Sequence, residues 1–225
     1  MKNALRLARH EWMLVFRDPR FFIPFAAVPL LLIALHGAAL FLFAGNPWQG
    51  WMLTRTFLAV LSLIGASLAV PLGADAFAGE KERRTWETLL CLPLPRRQLF
   101  AGKVLGALPF PLAVGWLGQG LVLGLAAYAG SLQTATSMEW VFPLLLTPFL
   151  SLFFCALSVL ISLHCETVRG AAQLTGLSLL ILFPAVTVAS QMLAANPLHV
   201  AYVLITLSAG AMGCFVLAAR RLGKT

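Results

Sequence analysis

Five stretches of this chain contain no charged side chain: Phe21 to Thr54, Thr56 to Ala74, Val104 to Met138, Trp140 to Cys165 and Gly170 to Ala219. Roughly 20 apolar residues suffice for a helix to cross the hydrocarbon core of a bilayer. The first four runs each accommodate one span. The last accommodates two, with Ala195-Asn196-Pro197 supplying the turn. The pattern therefore predicts six spans, near 22–43, 57–78, 104–129, 141–163, 171–191 and 199–219. Composition agrees: 60% of residues are hydrophobic and 11% charged, where soluble domains carry about a quarter charged. The expected fold is an all-α integral membrane protein, a single transmembrane domain over residues 1–225.

The basic residues orient it. With six spans, one side receives both termini, the 75–103 segment and the 164–170 loop. That side holds fifteen of the sixteen Lys and Arg residues, and the other holds Arg55 alone. Basic residues stay on the cytoplasmic side, so both termini are expected to be cytoplasmic. The net charge of +8 then reflects topology and anionic lipid headgroups, not nucleic acid. A cleaved signal peptide is not expected, because Glu11 and Asp18 interrupt the cationic start and the first apolar run is too long. Cys91, Cys155, Cys165 and Cys214 include no CxxC and none lies in an outer loop, so disulfides are not expected. The outer loops are short and leave no external domain.

Residues 1–18 fit an amphipathic helix. Arg6, Arg9, His10 and Arg17 share one face, with Leu5, Ala8, Trp12, Val15 and Phe16 on the other. A helix lying in the membrane interface has this pattern; the alternative is an arginine-rich cytosolic tail. Pro19 is placed to end it. Gly120 and Gly124 form a GxxxG pair in the third span, a packing motif whose partner is either internal or another chain.

Ten of the 24 charged residues fall between Asp75 and Lys103. Within that segment, Glu80 to Leu92 is rich in helix formers and precedes Pro93 and Pro95. Trp86, Leu89, Leu90 and Pro93 recur at helical spacing, with Glu80, Arg84 and Glu87 beside them. A short amphipathic helix in a cytosolic loop suits docking to a protein partner. A loop resting on the membrane is the other reading.

The run AGEKERRTWETLLCLPLPRRQLFAGK resembles the cytosolic loop of type-2 ABC-transporter permeases, the membrane subunits of many bacterial ABC exporters. Glu80-Lys81-Glu82, Thr85, Glu87, Leu89-Leu90, Pro93, Arg96-Arg97 and Gly102-Lys103 match the family pattern. Arg84 departs from it, standing where glycine is common. ARHEWMLVFRDPRFF is similar to the family's elbow helix, with Arg6, Arg9, Glu11, Trp12 and Arg17 within residues 1–20.

The resemblance implies a coupling segment at 79–97. Glu80, Glu82, Arg84, Thr85, Trp86, Glu87, Leu89 and Leu90 would meet a separate cytosolic ATPase. ATP and Mg would sit on that ATPase, with no cofactor in this chain. A second permease, identical or related, would complete the pathway in the inner membrane. A hydrophobic or amphiphilic cargo is expected, because the spans carry almost no carboxylates. Haem-export permeases of cytochrome c maturation have related architecture and are an alternative.

The sequence contains no ATP-binding P-loop: Gly223-Lys224-Thr225 is preceded by Ala218 where the motif needs glycine. An intramembrane enzyme is the rival class, and the spans hold neither a carboxylate pair nor a Ser/His/Asp set to support it. His164-Cys165-Glu166 are adjacent in sequence and lack the i, i+4 spacing of a helical metal site, so no metal is expected there.

Overall fold

Proline marks where four of the long helices begin. Pro19, Pro47, Pro109 and Pro197 each open one, as suits a residue with no N–H to contribute to a first turn. The computed structural model describes residues 19–42, 46–91, 95–134, 137–193 and 197–222. The proposed elbow residues Arg6, Arg9, Glu11, Trp12 and Arg17 lie outside them. The helices are α1 (Pro19–Leu42), α2 (Pro47–Ser67), α3 (Ala69–Ala74), α4 (Glu80–Glu82), α5 (Trp86–Leu90), α6 (Arg96–Ala107), α7 (Pro109–Tyr128), α8 (Ser137–His164), α9 (Val168–Leu193) and α10 (Pro197–Leu222). There is no strand among the described residues.

Several of these elements run on into one another. From Pro47 to Glu82 the chain forms a single helical rod of 36 residues, about 54 Å at 1.5 Å per residue. It is longer at both ends than the span expected near 57–78. Its start lies beyond Arg55 because that charge is neutralised inside the bundle, by Glu139 at 3.1 Å. Glu139 also accepts a hydrogen bond from the Trp51 indole at 2.7 Å. Gln98–Tyr128 and Val141–His164 are likewise long and apolar enough to cross a membrane. Ala27–Leu42, Val168–Ile181 and Tyr202–Ala218 are shorter apolar helices.

The α2–α3 rod and α8 form the centre. α2 packs on α7, α8 and α9, and α8 also meets α3, α6, α7 and α10. α1 lies outside against α7 and α2. Small residues let the backbones approach. A Cβ on Gly73 would stand 2.6 Å from the Cβ of Ser158, and one on Gly65 would stand 3.0 Å from the Cα of Gly115. Membrane helices use small residues in this way because lipid provides no hydrophobic drive to push them together. By contrast, Gly120 and Gly124 are exposed and have no neighbour within 4 Å of a Cβ placed there. The GxxxG pair therefore has no partner among the described residues.

Polar side chains join the same helices internally. The Gln119 amide of α7 donates to Ser62 Oγ at 2.7 Å and to the Pro143 carbonyl at 3.1 Å, linking α2, α7 and α8. Proline creates one further acceptor. Pro148 has no N–H for the Leu144 carbonyl one turn earlier, and the Trp116 indole of α7 donates to that carbonyl at 3.1 Å. The largest apolar core lies towards the polar loop, around Phe77, Phe100 and Phe154.

Candidate functional site: the polar loop and the helix ends it joins

The polar segment begins where the rod widens. Asp75–Gly79 is a single turn of π-helix, a form that leaves backbone groups poorly matched and recurs at functional positions. Ser162 of α8 supplies the match. Its hydroxyl accepts from the Phe77 and Ala78 N–H groups at 2.9 and 2.7 Å and donates to the Ala74 carbonyl at 2.8 Å. One turn of α8 earlier, Ser158 donates to the Val70 carbonyl at 2.7 Å. The end of the rod is thereby bolted to α8.

The expected single helix from Glu80 to Leu92 is instead two pieces. α4 stops at Glu82, a turn follows, and α5 runs from Trp86 to Leu90. The break is a Schellman turn, in which a left-handed residue lets two N–H groups fold back on the last helical carbonyls. Arg84 N–H bonds the Lys81 carbonyl at 3.0 Å, and Thr85 N–H bonds the Glu80 carbonyl at 2.9 Å. Arg84 has φ +57, a conformation that glycine adopts without a Cβ penalty. Arg84 thus keeps the backbone shape suited to the glycine common at this position in related loops.

Six of the charged residues between Asp75 and Lys103 bond within the chain. Asp75 pairs with Arg83 at 2.8 Å. Lys103 of α6 is buried and pairs with Glu80 at 3.2 Å, and Glu80 also accepts from the Thr85 hydroxyl. Lys81 donates to the Leu163 and Cys165 carbonyls at 2.7 and 2.9 Å, at the C-terminus of α8. Glu82 accepts from the Val168 N–H at 2.8 Å, the first residue of α9.

Trp86, expected to face a partner, is half-buried. It stands edge-on to Phe77 with ring centroids 5.6 Å apart, and the Lys81 ammonium lies 5.7 Å from its ring. Arg84, Thr85, Glu87 and Thr88 are exposed. The Leu89 and Leu90 side chains, like those of Arg96 and Arg97, are outside the description. His164 turns back on its own helix, with Nδ1 3.1 Å from the Leu160 carbonyl.

Sequence reasoning missed Ser158 and Ser162, and it missed the helix-end roles of Lys81, read only as part of the family pattern, and of Val168. A signal for the last two was present. The 165–167 connection between α8 and α9 is only three residues long. So short a connection cannot satisfy all the orphan carbonyls and N–H groups at both helix ends by itself.

An all-helical bundle with several membrane-length apolar helices and a folded polar loop between two of them defines a multi-pass membrane protein. The family described as ABC-2 family transporter protein matches this chain over residues 5–207. The chain belongs to that family, and is an ABC-2 type permease. No curated protein matches it.

Proposed function

We propose that this chain is the permease subunit of an ABC exporter of the inner membrane, driven by a separate cytosolic ATPase. In this reading six spans place both termini and the 79–97 loop in the cytosol. Two permease chains, identical or related, form the pathway, and ATP and Mg act on the ATPase. The cargo is hydrophobic or amphiphilic, in keeping with apolar spans that carry almost no carboxylates. The chain contributes transport rather than catalysis.

One observation carries this reading: the loop is a folded extension of a 36-residue helical rod, with a polar outer face of Arg84, Thr85, Glu87 and Thr88. A partner pressing on a rigid rod moves the bundle, whereas a floppy loop would absorb the motion. Trp86 acts beneath this face as its support on Phe77, while Glu87 contributes charge at the rim.

The test is recovery of the ATPase with the permease from detergent. Glu87→Lys should weaken recovery, more at low salt than at high salt, because salt screens a rim charge. Trp86→Ala should weaken it at every salt concentration by tilting α5. Unchanged recovery and unchanged transport for both variants would defeat the proposal.

A further inference from the structure

The triplet Glu80-Lys81-Glu82 occupies one turn of helix, yet its three charges reach three different helices. Glu80 holds Lys103, within α6. Lys81 holds two carbonyls at the end of α8. Glu82 holds the first N–H of α9. The signs fit the places. The last carbonyls of a helix carry partial negative charge and attract a cation, while the first N–H groups carry partial positive charge and attract a carboxylate. Buried Lys103, with a side-chain exposure of 3%, needs an anion beside it because an unpaired buried charge is costly. The order acid, base, acid therefore matches, residue by residue, a cation on α6, a helix C-terminus and a helix N-terminus.

We propose that this triplet is a mechanical clasp: it fastens the loop to α6, α8 and α9, so that the loop and the parts of those helices beside it move as one body. The inference rests on the permease reading for its purpose, since a body of this kind passes a push on the loop to α6, α8 and α9 at once, besides the rod that carries it. Its existence as a rigid link does not depend on that reading. Glu80, Lys81 and Glu82 are positioning residues. They face their own chain and leave Arg84, Glu87 and Thr88 to meet a partner. The short α8–α9 connection becomes part of the same surface, because Glu82 and Lys81 hold its two ends within one helical turn of each other.

The full-length chain in lipid nanodiscs tests this. Spin labels go on Thr88→Cys and Arg169→Cys, both exposed, in a background where the four native cysteines are serine. With the clasp intact, the label-to-label distance should be a single narrow population. Lys81→Met with Glu82→Ala should broaden it about twofold, as expected when a local unit is freed to open independently. Lys81→Arg and Glu82→Asp each keep the charge and a donor or acceptor for their helix end and should keep the narrow population. A distribution unchanged in the Lys81→Met, Glu82→Ala double variant overturns the clasp. Broadening in the conservative variants equal to that in the double variant also overturns it, because charge-matched bonds would then not be what holds the parts together. A second measurement separates the two proposals. Adding the ATPase with ATP should shift a distance from Arg169 to Trp48, each replaced by labelled cysteine. No shift there, with the Thr88 to Arg169 population still narrow, refutes the ATPase-driven reading and leaves the clasp standing.

Discussion

Arg55 and Glu139, 84 residues apart in the chain, form a buried ion pair at the end of the bundle away from the polar loop. Arg55 was the one basic residue that the charge pattern assigned to the outer side. Its partner is the acid that separates two of the uncharged runs. Removing one member of a buried pair strands the other, at a cost of about 3–5 kcal/mol. Arg55→Met should therefore lower thermal stability in detergent sharply. Arg55→Met with Glu139→Met should recover much of the loss, leaving about 1–3 kcal/mol for the Trp51 indole that loses its acceptor. A double variant no more stable than the single one would contradict this account.

The turn at Arg84 makes a prediction of opposite sign. A left-handed conformation costs an ordinary residue roughly 1–2 kcal/mol, and glycine's extra chain entropy costs roughly 0.5–1 kcal/mol. Arg84→Gly should thus be neutral or stabilising by up to about 1.5 kcal/mol, whereas Arg84→Val should destabilise. Melting temperatures of the purified variants give the order directly, and valine above glycine would refute it.

Gly73 and Ser158 should behave as a coupled pair. Gly73→Ala places a methyl 2.6 Å from the Ser158 Cβ, and over-packing of this kind costs about 1–3 kcal/mol. Ser158→Ala cannot relieve the contact because the Cβ remains. Ser158→Gly can, so the Gly73→Ala, Ser158→Gly double variant should lose less than the sum of its two single variants. Additive losses would show that the helices part freely at this point.

Native Cys91, exposed at the end of α5, provides a test of orientation. With the other three cysteines changed to serine, a membrane-impermeant maleimide should label it only after cells are permeabilised. A cysteine at Trp48, exposed at the far end of the rod, should be labelled in intact cells. External labelling of Cys91 would reverse the topology drawn from the basic residues.

The sequence by itself determined that this chain belongs in a membrane, which segments are apolar, and where the one concentrated polar segment lies. These follow from local quantities: the length of an uncharged run against the thickness of a bilayer, and the local density of charge. Even the turn at Arg84 left a trace, as a departure from the glycine usual in the resembling loops. Only the tertiary structure decided what the polar residues hold. Ser158 and Ser162 look like neutral choices within an apolar helix, and become bonds only because α3 and the π-turn pass beside them. Glu80, Lys81 and Glu82 read as surface charges of a docking helix. Their actual partners lie 23 to 86 residues away, and two of the three partner sites are backbone groups at helix ends. No side-chain pattern marks an orphan carbonyl or N–H, so these contacts exist only once the helices are packed and their ends brought within reach of one turn.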